Sequence, residues 1–152
     1  MLVHKLNSND FESNYVLIAI HCNNELFKLA FELNRRLKIQ LKKLNSDLAF
    51  EDKGPVFEAF KHESELYNTK IYLLSNVSTG KSLNEKNLLF NNYSVSRFLI
   101  PELKKADCLL KIEGGGFNIS NLIEKVNQIP VVVSAYMTEA NKLKSKYNLI
   151  FE

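Results

Sequence analysis

The sequence is poor in the residues that mark secreted, disulfide-linked and membrane-spanning proteins. Its 152 residues include two cysteines, three prolines and no tryptophan. A small secreted domain usually carries several disulfides and a signal peptide, and residues Met1 to Lys5 lack the apolar core of such a peptide. No apolar run approaches the roughly 20 residues that a membrane helix needs. We therefore expect a cytoplasmic protein that keeps Cys22 and Cys108 reduced and makes no membrane contact.

Arginine is scarce as well. Three of the 20 basic residues are arginines, and the formal net charge is only +3. The planar guanidinium group suits phosphate and base recognition better than the lysine ammonium does, so nucleic acid is not the expected partner. Drift in codon usage explains the excess of lysine more simply than a selected polyanion site does.

The sequence does contain enough hydrophobic residues for a globular core. Hydrophobic residues make up 45% and charged residues 24% of the chain, as in ordinary globular proteins. A length of 152 residues is enough for one domain and short for two. We predict a single domain over residues 1–152.

Hydrophobic spacing predicts two helices and several strands. Asn23 or Asn24 is the expected N-cap of the first helix, and Asn118 or Ser120 that of the second, which Pro130 ends. The predicted order is a strand at Tyr15–Cys22, a helix over Leu26–Leu37, an extended stretch at Lys38–Phe50, a hairpin of Val56–His62 and Lys70–Asn76, a loop at Val77–Asn92, a strand at Cys108–Ile112, a helix over Ile119–Val126 and a strand at Val131–Tyr136.

This order of elements indicates the fold class. Strand–helix–strand units near both ends of the chain, separated by antiparallel strands, are typical of an α+β fold. We predict a two-layer sandwich in which two main helices cover one face of a mostly antiparallel sheet. The alternative is a doubly wound α/β sheet, which needs more helices than the pattern supplies.

Two glycine-containing segments look like anion-binding loops but lack the required spacing. Thr79-Gly80-Lys81-Ser82 matches the end of a phosphate-binding loop, but Ser75 stands where that motif needs a glycine. Gly114 to Gly116 leads into a helix without a dinucleotide fingerprint. We interpret both segments as turns and expect no nucleotide and no other cofactor.

The histidines and cysteines show no pattern of a metal site or of an activated nucleophile. His4, His21 and His62 share no ligand spacing, and His21 and Cys22 point to opposite faces of one strand. Cys22 and Cys108 can be neighbours only if their strands pair. We predict no metal site and assign no catalytic residue, which favours a protein that is not an enzyme.

One basic cluster lies between the first helix and the strand that follows it. A surface that contacts phosphates is one interpretation, and a solvated helix end followed by a charged strand edge is the simpler one. The members of this basic cluster are Arg35, Arg36, Lys38, Lys42 and Lys43.

Residues 100–108 read IPELKKADC, which resembles the signature of the IPExxxVDY family of small bacterial proteins. Ala106 replaces the usual valine, and Cys108 replaces the usual tyrosine. The resemblance covers most of the chain and implies no catalytic residue. The positions that match the signature are Ile100, Pro101, Glu102 and Asp107.

The signature residues have a structural and a functional interpretation. Pro101 suits a helix start, Glu102 suits its positive end, and Asp107 can accept a backbone N–H group. Alternatively, Glu102 and Asp107 share a cleft with His21 and act as ligand anchors or as an acid and a base. We favour the structural interpretation.

Three hypotheses on function remain open. The first is a non-enzymatic protein-interaction module, whose partner is another protein or a second copy of this chain in a homodimer. The second is a small-ligand-binding protein or enzyme that uses the cleft of Glu102, Asp107 and His21. The third is an RNA- or ribosome-associated protein that works through the basic cluster.

Overall fold

The computed structural model describes residues 15–50, 53–78 and 97–151. The predicted loop at Val77–Asn92, with its Thr79–Ser82 motif, therefore lies almost entirely outside the described residues, as does His4. The elements in order are β1 (Tyr15–Cys22), α1 (Leu26–Leu37), β2 (Lys42–Lys43), β3 (Leu48–Ala49), β4 (Val56–Phe57), β5 (Ala59–Ser64), β6 (Thr69–Ser75), β7 (Cys108–Glu113), α2 (Ile119–Asn127) and β8 (Val132–Thr138), with 3₁₀ helices at Pro101–Leu103, Ala140–Lys142 and Lys146–Leu149.

Six of the strands form one antiparallel sheet in the order β2-β5-β6-β7-β1-β8, and β3 and β4 form a separate pair. Because β7 and β8 both run antiparallel to β1, they are parallel to each other, and together with α2 they form a split βαβ unit. The predicted α+β fold with a mostly antiparallel sheet is confirmed. No helix of the described ranges is long and apolar enough to cross a membrane.

Both helices pack on the same face of this sheet, as predicted. Alternate residues of β1, Ile18, Ile20 and Cys22, point to this face. Each leucine that leaves water here contributes about 2 kcal/mol to the stability of the fold. The fully buried helix residues on this face are Leu29, Ala30 and Leu33 of α1 and Leu122 and Val126 of α2.

One of the two predicted helix N-caps is confirmed, and the other is wrong. The Asn118 side chain accepts a hydrogen bond from the backbone N–H of Asn121 at 3.1 Å, so this cap is confirmed. The prediction for α1 is wrong, because the residue before its first turn is Glu25 and no side chain caps it. Asn23 and Asn24 belong to the connection from β1.

One predicted extended segment is shorter than expected, and another is divided in two. The stretch at Lys38–Phe50 contains only the two-residue strands β2 and β3. The stretch at Val56–His62 is divided at Glu58, so that β4 pairs with β3 and β5 pairs with β6. Short polar segments have too little hydrophobic alternation to fix these limits from the sequence.

The opposite face of the sheet is covered by two irregular segments, residues 97–106 and 139–151. Ile100, Ala106 and Leu149 are at most 1% exposed and pack on this face. The Asn148 side chain donates to the carbonyl oxygen of Leu99 at 2.8 Å and so joins the two segments. The six-stranded sheet therefore has a hydrophobic core on each face.

A buried lysine fixes the C-terminal segment to this face. The Lys111 ammonium group lies 2.6 Å from the carbonyl oxygen of Leu149 and 2.9 Å from a carboxylate oxygen of Glu113. Three aromatic rings whose centroids lie 4.8 to 5.3 Å from the same nitrogen surround it. These rings belong to Tyr15, Tyr72 and Phe151.

Two asparagines, one in the last turn of each helix, bond to the backbone at the two edges of the sheet. The Asn34 side chain accepts from the backbone N–H of Leu41 at 2.7 Å and donates to its carbonyl at 3.2 Å, immediately before edge strand β2. The Asn127 side chain makes the same two contacts, at 2.8 and 3.0 Å, with Ala135 in edge strand β8. Each amide takes the place of a further strand at that position.

We expect Lys111→Met to lower the free energy of unfolding by about 2 kcal/mol, because a buried carbonyl oxygen loses its donor. The C-terminal segment should also become more susceptible to limited proteolysis. Denaturant unfolding and protease digestion measure these two effects. Lys142→Met, which changes an exposed lysine, is the control and should leave the free energy of unfolding nearly unchanged. Equal effects of the two substitutions would contradict the assigned role of Lys111.

Candidate binding groove on helix α1

Glu102 binds the C-terminal segment of the chain. Its two carboxylate oxygens accept hydrogen bonds from the backbone N–H and the hydroxyl group of Ser145, each at 2.8 Å. Desolvation raises the pKa of this carboxyl group, but the hydrogen bonds from Ser145 and from the backbone of Glu102 and Lys144 together lower it by more, so the pKa of Glu102 lies below its ordinary value of 4.5. The ionised carboxylate holds one of the segments that cover the sheet.

Asp107 forms hydrogen bonds with the backbone at the C-terminal end of β1. One of its carboxylate oxygens accepts the backbone N–H of Cys22 at 2.8 Å, as the structural interpretation predicts. Its own backbone N–H donates to the carbonyl oxygen of Ile20 at 3.0 Å. Because these contacts flank His21 in the sequence, Asp107 and His21 lie at the same end of β1.

His21 interacts with an aromatic residue of the neighbouring edge strand. Its Nε2 atom lies 3.1 Å from the hydroxyl oxygen of Tyr136, and the two rings stack with centroids 5.5 Å apart. The three predicted ligand residues thus bond to three different partners, and neither groove described below is lined by any of them. The cleft of Glu102, Asp107 and His21 stays a prediction.

A buried asparagine, which the sequence interpretation did not single out, organises the segment that begins at Ile100. The Asn76 side-chain oxygen accepts the backbone N–H of Ile100 at 2.8 Å. Its nitrogen donates to the carbonyl oxygens of Leu103 and Ala106 at 2.8 and 3.0 Å. Pro101 opens a 3₁₀ helix within this segment, as expected of a proline at a helix start. The signature residues therefore have structural contacts.

The predicted basic cluster is partly neutralised by Glu32. The Glu32 carboxylate lies 2.9 Å from the guanidinium group of Arg35 and 3.7 Å from that of Arg36. The other members of the cluster end α1 or form edge strand β2, and all are exposed; they are Lys38, Lys42 and Lys43. This arrangement agrees with a solvated helix end and strand edge, and an RNA-binding role stays a prediction.

The two cysteines are buried and free, in the paired strands β1 and β7. Burial raises the pKa of both thiols above the ordinary value of 9.0, and that of Cys108 well above it. Since the thiolate is the nucleophile, these thiols are poorly reactive at neutral pH. Within residues 15–50, 53–78 and 97–151, no group of three or more His, Cys, Asp or Glu side chains is arranged to hold a metal ion.

An open groove of about 380 Å³ lies along α1, beside the chain that enters β8. Its apolar lining consists of Phe27, Phe31 and Val131, and its polar lining is Asn24, Lys28 and Glu32. The side chains of Phe27 and Phe31 are 53% and 64% exposed. Removing either ring from water would contribute on the order of 1 kcal/mol, so the groove favours an apolar occupant.

Helical spacing explains why the rings lie there. Phe27 and Phe31 are four residues apart and therefore lie on the same side of α1. Phe27 follows Leu26 and Phe31 follows Ala30, and both Leu26 and Ala30 belong to the inward-facing stripe of α1. The two rings therefore lie beside this stripe and not within it. The sequence interpretation identified the stripe and missed this pair. An aromatic repeat at i and i+4 next to a complete buried stripe was the available signal.

A second open groove, of about 260 Å³, lies at the opposite end of β1 and β8. Of its lining residues Met137 is the exposed large apolar one, whereas the α1 groove exposes two aromatic rings, so the second groove favours an apolar occupant less. The residues that line it are Tyr15, Val16, Met137, Thr138, Glu139, Ala140, Asn141 and Lys142.

Comparison of the chain with protein-family models, with curated proteins and with solved structures finds no match. The resemblance of residues 100–108 to the IPExxxVDY signature therefore stays a prediction, and conclusions on function depend on the geometry of the molecule.

Glu102→Gln tests the structural role of this carboxylate. Because the pKa of Glu102 is lowered in the folded state, its ionisation stabilises the fold above pH 4.5, and this contribution is lost as the pH falls through the folded-state pKa. We expect the variant to be about 1 kcal/mol less stable at pH 7, a small value because solvent screens an exposed carboxylate. The difference should vanish in acid.

Denaturant unfolding of both proteins from pH 7 down to pH 3 measures this dependence. Glu124→Gln, at an exposed position of α2, is the matched control. A difference between Glu102→Gln and the unmodified protein that stays constant down to pH 3 would contradict the assignment.

Proposed function

We propose that this protein is a non-enzymatic interaction module that binds a protein partner through the groove on α1. The observation that carries the proposal is the pair of exposed rings of Phe27 and Phe31 next to Val131. Contiguous exposed apolar surface with polar residues at its rim is typical of protein-binding sites.

The lining of the groove supports binding more than catalysis. Among its six residues the only carboxylate is that of Glu32, which is held in an ion pair with Arg35 at 2.9 Å. The remaining polar groups are the Asn24 amide and the Lys28 ammonium. A nucleophile needs an adjacent base, and these lining residues supply no such pair.

The spacing of the rings suits a helical partner. Phe27 and Phe31 are one turn apart, about 6 Å along the helix axis, which matches apolar side chains at i and i+4 of a second helix. Addition of a partner strand to β8 is less favourable, because both backbone polar groups of Ala135 are already bonded to Asn127.

Edge strand β8 supports homodimer formation as a second candidate. The strand carries no charged residue, and its Val133 and Met137 side chains are exposed. Uncharged edges of this kind favour pairing between chains. The bonds from Asn127 to Ala135 would have to break first, which is why we place this candidate second.

We also propose that the protein resides in the cytoplasm and belongs to the bacterial IPExxxVDY family. Two free, buried thiols support a reducing compartment. The matches at Ile100, Pro101, Glu102 and Asp107 support the family.

We expect Phe31→Ser to reduce capture of the partner from native lysate by about tenfold or more, as loss of a central aromatic contact does in other interfaces. Affinity capture with the full chain, followed by quantitative mass spectrometry, measures this change. Leu66→Ser is the matched control, since Leu66 is exposed in the β5–β6 turn and away from the groove.

The proposal requires proteins that the unmodified chain and Leu66→Ser capture equally and that Phe31→Ser loses. Thermal unfolding of both variants verifies that each remains folded. Identical captured sets for all three proteins, or none above bare resin, would contradict binding through this groove.

A further inference from the structure

The positive charge of the chain is concentrated around the α1 groove. Residues 24–43, which include α1 and β2, contain six Lys or Arg residues and two Glu residues, a net charge of +4. Because the whole chain carries +3, all other residues together carry −1. The groove therefore lies in the basic part of the protein.

Several of these positive charges are available to a partner. Lys28 lines the groove, and Arg35 lies one turn beyond Phe31 with 62% of its side chain exposed. In the parts of the chain that the structure describes, neither Lys28 nor Lys38 forms an ion pair. The nearby Glu32 carboxylate is already engaged by arginine and adds little repulsion of an acidic ligand.

We infer that the groove binds an acidic amphipathic helix of the partner protein, an inference that rests on the function proposed above. The apolar side of such a helix covers Phe27 and Phe31. Its Asp and Glu residues lie against Lys28, which lines the groove, and against Lys38, about two turns beyond Phe31 at the end of α1. Charge complementarity of this kind increases the association rate and selects the partner.

The same charges argue against a second copy of the chain as the occupant. A second copy of the chain placed groove to groove would bring the two Lys28 ammonium groups that line the grooves close to each other, and like charges in an interface are unfavourable. RNA, as a polyanion, is attracted by the same charges, and the experiment below therefore includes an RNA ligand.

Fluorescence anisotropy with labelled synthetic ligands tests the inference on the full chain. The ligands are a helical peptide with leucines at i, i+3, i+4 and i+7 flanked by glutamates, the same peptide with glutamine or with lysine for every glutamate, and oligouridine RNA. The protein variants are Phe31→Ser, the double variant Lys28→Glu/Lys38→Glu and the matched double variant Lys104→Glu/Lys105→Glu, which reverses two exposed charges elsewhere.

The acidic peptide should bind at least about tenfold more tightly than the glutamine peptide at low salt. Lys28→Glu/Lys38→Glu should lose this preference and bind the lysine peptide instead, whereas Lys104→Glu/Lys105→Glu should keep it. Phe31→Ser should abolish binding of every peptide.

Equal binding of the acidic and glutamine peptides, with loss of both in Phe31→Ser, would overturn the charge assignment while the groove remains the binding site. Binding that Phe31→Ser leaves intact would overturn both the inference and the proposed function. No peptide binding up to about 1 mM, or RNA binding tighter than that of the acidic peptide, would overturn the inference.

Discussion

The two asparagine side chains at the sheet edges determine which surfaces this protein leaves free. A sheet normally ends in a row of unpaired backbone groups that invite another strand. Here Asn34 bonds both polar groups of Leu41, and Asn127 bonds both polar groups of Ala135. Each asparagine belongs to the last turn of the helix that leads into the edge strand. The helix connection therefore also terminates the sheet.

The two faces of the sheet are covered by different kinds of segment. The way in which α1 packs on its face explains the position of the groove. Helices α1 and α2 cover one face, and the segments held by Glu102, Asn76 and Lys111 cover the other. The buried stripe of α1 packs against the sheet. Phe27 and Phe31, which lie beside this stripe, belong to neither core and remain exposed. The exposure of these rings beside a completed core is why we propose that they bind a partner.

The sequence predicted the features that depend on hydrophobic periodicity. The α+β class, both helices, their shared face and the Asn118 cap all follow from local patterns. The division of Val56–His62 and the buried role of Asn76 do not, because each depends on contacts with other segments of the chain. The start of α1 after Glu25 was also missed, because a sequence marks the exact end of a helix less sharply than its presence. The groove could have been found, since Phe27 and Phe31 repeat at helical spacing. The tertiary fold positions Val131 beside them, and a local sequence pattern does not reveal the tertiary fold.

Amide hydrogen exchange at Leu41 and Ala135, followed by NMR, tests the central claim most directly. If asparagine side chains replace the missing strands, both backbone N–H groups should exchange far more slowly than an unstructured chain, although they lie at the sheet edges. Exchange within about tenfold of the unstructured rate at both residues would contradict the account, because the edges would then be open to other strands.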